Sequence, residues 1–417
     1  MQSPPIQTGG LGDAAQLVFA VASGLAVANV YYAQPLIDAI ADDARLAHAA
    51  AGAIISATQI GYFFGLLLIV PLGDIMDRRR LLLGQTVLLV AALLVPAFVS
   101  GAGPLLVGFA VIGVLSVIAQ IFVSYAADLA TEKTRGRAIG TVTTGIILGI
   151  LLARTVSGVL TDMAGWRSVY IVSAGVTFAL LPILARLIPP DTRSHTPIRY
   201  GALVSSTLGL FMTSRELRVR ATLGFFIFTT ITMLWTPMVL PLRAPPWMLT
   251  HSEVGLFGLV GAVGALGASL AGRLADRGLA ERMTGIGLML MLGSWPPVAL
   301  LARSLGWLIV GVVVIDFALQ SVHVSNQSLL YREGAGARSR LTAAYMLAYS
   351  AGCATGSIGS TWVFAAAGWY GVCLTGAAST VAAIAAWAWS NRHSYPASKT
   401  TRHVTTAAAD ADGCGCE

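Results

Sequence analysis

Residues 70–100 read VPLGDIMDRRRLLLGQTVLLVAALLVPAFVS, a short charged loop followed by an apolar run. The run from 81 to 100 contains no charged residue, and as a helix rising about 1.5 Å per residue it would cross a ~30 Å hydrocarbon core. Its residues do not alternate between apolar and polar, as those of a membrane β-strand would. Because backbone groups in lipid must be paired within the segment, the run predicts a membrane-spanning helix.

Equivalent apolar runs recur along the whole chain. Its 417 residues are 56% hydrophobic and 11% charged, whereas soluble proteins carry about 25% charged residues. The first run follows a segment with no Lys or Arg, which is unlike a cleavable signal peptide and predicts a permanent span. We therefore predict an all-α membrane protein with twelve transmembrane spans, at 15–40, 50–72, 81–100, 104–127, 138–160, 168–188, 219–242, 253–275, 283–302, 306–330, 341–364 and 369–390.

The basic residues indicate the orientation of these spans. If both chain ends lie in the cytoplasm, 21 of the 26 Lys and Arg residues fall in cytoplasmic segments and four fall in outer loops, while Arg154 lies within span five. Such an excess follows the positive-inside rule, so we expect a multi-pass protein with both termini cytoplasmic. The same distribution argues against reading the net charge of +7 as a nucleic-acid-binding surface.

Four features recur at nearly one spacing and in the same order. Each pair is separated by 200 to 203 residues: Asp74 and Asp276, Gln120 and Gln320, Arg135-Gly136-Arg137 and Arg338-Ser339-Arg340, and Gly165-Trp166 and Gly368-Trp369. This repeat predicts two pseudo-symmetric six-helix bundles, at 1–188 and 219–391, with a cytoplasmic linker at 189–218 and a cytoplasmic tail at 392–417. Parallel repeats of this kind occur in transporters whose substrate site lies between the two halves.

The loop after span two resembles a signature of the major facilitator superfamily, Gly-x-Leu-x-Asp-x-x-Gly-Arg-Arg. Leu72, Asp74, Arg78 and Arg79 match this signature, whereas Val70 and Asp77 replace its glycines. The second copy, Gly272-Arg273-Leu274-Ala275-Asp276-Arg277, keeps the first Gly, the Leu and the Asp. The resemblance covers nearly the whole chain and implies two six-helix bundles that alternate in opening a central cavity to either side.

A second similarity lies in span five. Drug antiporters of the superfamily carry Gly-Pro-x-x-Gly-Gly here, and this chain has Ala153-Arg154-Thr155-Val156-Ser157-Gly158, with Arg154 in place of the Pro. Together with Gln34-Pro35-Leu36, this segment resembles bacterial efflux permeases grouped with sugar, nucleoside and drug exporters. The resemblance implies a bacterial cytoplasmic (inner) membrane, and the Arg weakens the similarity to antiporters.

The resemblance also implies a conformational latch at the cytoplasmic ends of the spans. An aspartate held against a helix N-terminus, with an Arg nearby, would keep that side closed. The latch residues would be Asp74, Arg78, Arg79, Arg137, Asp276, Arg277 and Arg340. The alternative is that these carboxylates only cap or orient their loops.

Asp316 is the leading candidate for proton coupling. It lies about ten residues into span ten, roughly 15 Å deep. A carboxylate at that depth should face a cavity or a partner, and burial disfavours its ionised form. The alternative is a carboxylate hydrogen-bonded for packing. Arg154, in the outer third of span five, could bind an anionic group, pair with Asp38 or Asp162, or reach outward to the interface.

Further polar and aromatic residues are candidates for the cavity lining. Gln320 and His323 share a helix face with Asp316, and a polar stripe in lipid must face inward. A ligand site of mixed aromatic and polar side chains is the usual composition, and Tyr residues can alternatively anchor spans at the interface. The remaining candidates are Asn29, Gln34, Gln59, Gln120, Tyr125, Trp235, Tyr345 and Tyr349.

Other classes of function lack their motifs. The chain has no Gly-x-x-x-x-Gly-Lys-Ser/Thr phosphate loop, no His-Glu-x-x-His and no Gly-x-Ser-x-Gly, so we expect neither an enzyme nor a cofactor or structural metal. We predict a monomeric secondary transporter in the lipid bilayer that exports a small amphipathic or drug-like solute in exchange for protons. Two alternatives remain: an uptake symporter of the same fold, and a membrane sensor that no longer transports.

Overall fold

The structure is a computed structural model, and it describes residues 13–131, 134–188, 200–261, 263–331 and 338–392. The described residues contain helices and no strand. Ten helical stretches are long and apolar enough to cross a membrane. Nine are single spans, and the last, Arg340–Arg392, folds back at Gly368 to give two. The pair His251–Val260 and Val263–Asp276 adds one interrupted span, so the predicted all-α fold with twelve spans is confirmed.

We keep the span numbers of the sequence analysis. Spans one to six are Asp13–Asp43, His48–Leu68, Arg78–Phe98, Ala102–Leu129, Arg135–Ala164 and Arg167–Leu187. Spans seven to ten are Arg215–Arg243, the His251–Asp276 pair, Ala280–Ala302 and Leu305–Leu330. Spans eleven and twelve are 338–367 and 369–392.

Side-chain contacts identify which loops share each end of the molecule. At one end, here called the distal face, Arg167 Nη1 lies 2.5 Å from Asp43 Oδ2 and Thr361 Oγ1 donates to Ala49 O at 3.0 Å. At the opposite end, the proximal face, Arg78 pairs with Asp128. The first described residue of span one and the last of span twelve both lie on the proximal face.

Two glycines at equivalent places in the halves share one unusual backbone conformation. Gly165, between spans five and six, has φ 78° and ψ 161°. Gly368, between spans eleven and twelve, has φ 64° and ψ −163°. Residues with a Cβ avoid this region, so the chain reverses here on glycine in both halves. The match agrees with the predicted repeat of Gly165-Trp166 and Gly368-Trp369.

The predicted linker contains a helix. Residues Tyr200–Thr213 are helical, and the Tyr200 hydroxyl donates to Leu68 O at 2.6 Å, so the linker helix rests on the proximal end of span two. Span seven begins at Arg215, earlier than the predicted 219, and Ser214 caps it by accepting from Leu217 N at 3.0 Å. Residues 189–199 and the tail with Cys414 and Cys416 lie outside the described residues.

Candidate functional site

A buried arginine organises the centre of the molecule. Arg154 is only 7% exposed, and its Nε donates to Gln34 Oε1 at 2.8 Å. Its guanidinium carbon lies 3.9 Å from the centroid of Trp235, a cation–π contact that stabilises a buried cation. Span five therefore places its charge against spans one and seven. We refer to Tyr31, Gln34, Arg154, Trp235, Asp316 and Tyr349 as the central cluster.

Asp316 joins this cluster through Trp235. The carboxylate is 8% exposed, and its Oδ1 accepts from the indole Nε1 at 3.3 Å. Arg154 and Asp316 interact electrostatically, yet among the described side chains they form no direct ion pair. Trp235 thus contacts the cation with its ring face and the carboxylate with its N–H. The predicted side chains of spans five, seven and ten converge at one point between the halves.

Local backbone features make room for the two charges. Span one is interrupted at Tyr32, and a 3-10 turn at Gln34–Leu36 presents the Gln34 amide. In span eight, a Cβ on Gly258 would lie 2.9 Å from Arg154 Cβ, and one on Gly261 would lie 2.8 Å from Asp316 Oδ2. These glycines of span eight therefore leave room for the charged side chains.

A small pocket opens on one side of Arg154. It is lined by Gln34, Pro35, Arg154, Trp235, Met238, Val239 and Val254. Arg154 is the only charged residue among these seven. The free space of the pocket holds about one water molecule, so in this conformation it has no room for a solute.

A chain of aromatic contacts leads from the cluster toward the proximal face. The hydroxyls of Tyr31 and Tyr349 lie 2.5 Å apart, and the Tyr349 ring lies 4.0 Å from that of Phe228. Phe228 meets His323 edge-to-face at 5.2 Å, and His323 Nδ1 lies 3.0 Å from the Tyr345 hydroxyl. His323 and Tyr345 are therefore linked to the cluster through Phe228. Phe228 was not predicted, although its position two helical turns before Trp235 places both on one face.

Other predicted lining residues lie outside the central cluster. Gln120 Nε2 donates to the Tyr62 hydroxyl at 3.3 Å within the first half. Asn29 Oδ1 accepts from Ser173 Oγ at 2.7 Å, which ties span one to span six. Tyr125 packs 5.9 Å from the Phe19 ring near the proximal face.

Two predicted amides also have structural surroundings. Gln320 packs against span eight, since a Cβ on Gly264 would lie 3.2 Å from its Cγ. Gln59 is completely buried, and neither of its amide atoms has a hydrogen-bond partner among the described residues. The polar stripe of span ten is therefore divided between the cluster, a helix contact and the aromatic chain.

The predicted latch residues lie on the proximal face with partners of several kinds. Arg78 is buried, pairs with Asp128 and donates from Nε to Gly73 O at 2.8 Å, while Arg79 donates to Ala185 O at 2.7 Å. Arg137 lies 3.4 Å from Asp13. Asp276, Arg277 and Arg340 are exposed. The side chain of Asp74 lies outside the described side chains, so the latch stays a prediction.

A second charged group joins the halves on the distal face. Arg243 Nε lies 2.5 Å from Asp38 Oδ2, and His251 Nε2 lies 3.2 Å from Asp38 Oδ1. Asp162 accepts from the backbone amides of His251 and Ser252 at 3.2 and 2.7 Å. The predicted alternative that Arg154 pairs with Asp38 or Asp162 is wrong, because Arg243 and His251 occupy these carboxylates. We refer to Asp38, Asp162, Arg243, His251 and Ser252 as the distal lock.

Two further hydrogen bonds join the halves closer to the centre of the molecule. Thr155 Oγ1 donates to Gly255 O at 3.0 Å, and Ser56 Oγ donates to Ala354 O at 2.7 Å. Spans five and eight, and spans two and eleven, thus touch across the halves on the distal side. His251 and Arg243 were not predicted, because their role depends on which loops meet across the halves.

Comparisons with known proteins agree with this architecture. A family model described as Major Facilitator Superfamily matches residues 19–333. The chain is 43% identical over 383 residues to the uncharacterized transporter YgaY of Escherichia coli O157:H7, covering 92% of this chain and 97% of that one. It is 31% identical to a probable transporter of Streptomyces coelicolor, covering 88% and 86%.

Among solved structures, a bacterial homolog of the human lysosomal transporter Spinster, in an inward-facing and unoccupied conformation, superposes with a TM-score of 0.74. The two chains are 16% identical, and the match covers 90% of this chain and 96% of that one. A likeness at this identity concerns the fold.

Proposed function

Because the chain belongs to the Major Facilitator Superfamily and is a membrane transporter of that type, we propose that it couples the movement of a small organic solute to protons at the central cluster. The observation that supports this proposal most directly is Asp316, a carboxylate buried between the halves and linked through Trp235 to Arg154. Buried ionisable groups inside membrane bundles usually mark ion or substrate pathways. The protein would act as a monomer.

The geometry suggests how a proton would act at this site. With Asp316 ionised, its negative charge compensates the buried charge of Arg154. A proton on Asp316 removes that compensation and leaves a buried cation, which is costly unless another anion enters. Protonation therefore changes the net charge of the cluster and with it the balance between conformations. Alternating access would follow as the two halves separate at the distal lock and come together on the proximal face.

Efflux is the direction predicted from the resemblance to exporters. Export in exchange for protons requires a solute that competes with the proton for Asp316, so that only one is bound at a time. The second candidate is uptake, in which proton and solute bind together. One observation favours this candidate: Arg154, not Asp316, lines the pocket, and an anion held there would bind best when Asp316 is neutral.

Replacing Asp316 by Asn tests the proton-coupling role. The isosteric amide cannot exchange a proton, so we expect transport driven by a pH gradient in proteoliposomes to be abolished. Solute counterflow without a gradient should continue. The solute for this assay comes from a screen for compounds that stabilise the purified protein thermally.

Asp42→Asn provides the matched control, since Asp42 is an exposed carboxylate on the distal face that lies 3.6 Å from His48. This variant should keep full pH-driven transport. Undiminished pH-driven transport by Asp316→Asn would remove Asp316 from the mechanism.

A further inference from the structure

We propose that the pocket beside Arg154 is a subsite for the carboxylate of an aromatic organic acid, and that this anion is bound together with a proton. The inference rests on the uptake candidate of the proposed function, in which proton and solute bind together, and specifies the chemical class of the solute. It derives from three features of the pocket: its charge, the free donors of its arginine and its aromatic wall.

The pocket is positively charged. Arg154 is its only charged lining residue, and Asp316 lies behind the Trp235 indole against Gly261. A cationic head group in this pocket would face the guanidinium directly. An anion would instead receive the interaction that a buried cation lacks whenever Asp316 is neutral.

Arg154 keeps donors that an oxyanion could use. A guanidinium has five N–H donors, and only Nε is used, in its bond to Gln34. The other four have no hydrogen-bond partner among the described residues. A planar fork of two parallel N–H groups matches a carboxylate, and such bidentate pairs are among the strongest hydrogen bonds in proteins.

The residues around the guanidinium are aromatic or apolar. Trp235 and Tyr31 present their rings to the guanidinium, at 3.9 and 5.4 Å from its carbon. Pro35, Met238, Val239 and Val254 complete the lining with apolar surface. In a conformation in which this site is wider, an aryl carboxylate would place its charge on Arg154 and its ring along these side chains, which combines an anchor with apolar contact.

Proton and anion binding are linked through the charges that face this site. Span five contributes Arg154, span ten contributes Asp316, and spans one and eleven contribute the hydroxyls of Tyr31 and Tyr349. Spans seven and eight contribute Trp235 and Gly261, which carry no charge, and His323 lies two turns away against Tyr345. When Asp316 takes up a proton, the charge of Arg154 loses its compensating partner. Binding of the proton therefore favours binding of the anion, and binding of the anion favours binding of the proton.

The test uses 2-naphthoate as the probe, with 2-naphthamide and 2-naphthylmethylamine as neutral and cationic counterparts of similar size. Carboxyl groups ordinarily ionise near pH 4, so naphthoate stays anionic between pH 8 and 6. We expect naphthoate alone to bind the purified full-length protein, with affinity rising up to about tenfold per unit as the pH falls through this range. In Asp316→Asn the binding should persist and lose its pH dependence.

Arg154→Gln should weaken naphthoate binding at least tenfold. The matched control is Arg167→Gln, which removes an arginine that also lies over an indole, 4.4 Å from the Trp166 centroid, but on the distal face. This control should bind naphthoate like the wild type. Because Arg154→Gln leaves Asp316 uncompensated, the double variant Arg154→Gln, Asp316→Asn, which is neutral and similar in shape, serves to separate binding from folding.

Three results would overturn the anion subsite: binding of the amine or the amide as tight as that of naphthoate, naphthoate binding unaffected in a folded Arg154→Gln or double variant, or no binding of naphthoate at all. None of these results bears on transport itself. The proposed function fails separately, if Asp316→Asn keeps full pH-driven transport of a solute found by the stability screen.

Discussion

Gly165 and Gly368 each have a backbone conformation that residues with a Cβ avoid. Both combine a positive φ with an extended ψ, a region that is essentially restricted to glycine. Replacing either by Ala should lower the free energy of unfolding by about 1–3 kcal/mol, since the strain persists wherever the methyl group points. Denaturant unfolding of the purified protein measures the difference.

Gly175→Ala, in the middle of span six, is the control for these variants. A Cβ there meets no atom within 4 Å, and Ala favours a helix over Gly by about 1 kcal/mol. This variant should be as stable as the wild type or more so. Loss of stability equal to that of Gly165→Ala would show that backbone conformation is not the cause.

Single residues of the site could be predicted in part from the sequence. Arg154 and Asp316 stand out because charged residues are rare in apolar spans, whatever their partners. Their link through Trp235 joins residues from three separate spans, and no spacing along the chain predicts which helix faces meet. For the same reason Phe228, an ordinary apolar residue by composition, gave no signal.

At the scale of helices, glycines set how closely the two halves approach. A Cβ on Gly158 would lie 2.3 Å from His251 O, and one on Gly52 would lie 2.2 Å from Ser357 O. These are backbone atoms, which cannot turn aside as a flexible side chain can. Spans five and eight, and spans two and eleven, therefore meet only where a side chain is absent.

Gly158→Ala should push spans five and eight apart on the distal side. The expected result is several-fold faster labelling of a cysteine introduced by Val254→Cys, because Val254 is 3% exposed and lies just beyond this contact. A maleimide applied to the purified protein, in a background without the native cysteines, measures the rate. Gly140→Ala, on the same span with no atom within 4 Å of its Cβ, should leave labelling unchanged. Equal labelling rates in both variants would contradict the inference that Gly158 sets the separation of spans five and eight.

The predicted spans agree with the helices to within a few residues at most ends, because apolar length is a strong signal. The breaks inside them were not predicted. Span one is interrupted at Tyr32 and span eight at Gly261, where the chain bends around the central cluster. The linker helix was missed since the prolines and arginines around it suggested a loop, although Tyr200–Thr213 itself is mostly apolar.

For the whole molecule, the distribution of basic residues predicts which face meets the cytoplasm. Most of the Arg residues that the structure describes lie on the proximal face, so this face should be cytoplasmic. In intact cells an impermeant thiol reagent should label His48→Cys, whose side chain is 61% exposed on the distal face. Arg277→Cys, on the proximal face, should react only after permeabilisation. The reverse pattern would contradict the assigned orientation.

The two-bundle architecture could be predicted from the sequence, since the repeated motifs fall at corresponding places in each half. The conformation could not. A transporter uses one chain to form states open to either side, and those states differ by few kcal/mol at most. Contacts between loops of the two halves, such as that of Asp38 with Arg243, therefore depend on the conformational state. The sequence pattern does not predict them.

The contact between Asp162 and the start of span eight has a consequence for how the two bundles separate on the distal face. One carboxylate neutralises the first two amides of a helix in the opposite bundle, and it also lies against the imidazole of His251. When the bundles part, all of these bonds are lost in a single step and water must replace them together. We therefore expect the distal lock to open cooperatively. It should be either fully closed or fully open, with no stable half-open state.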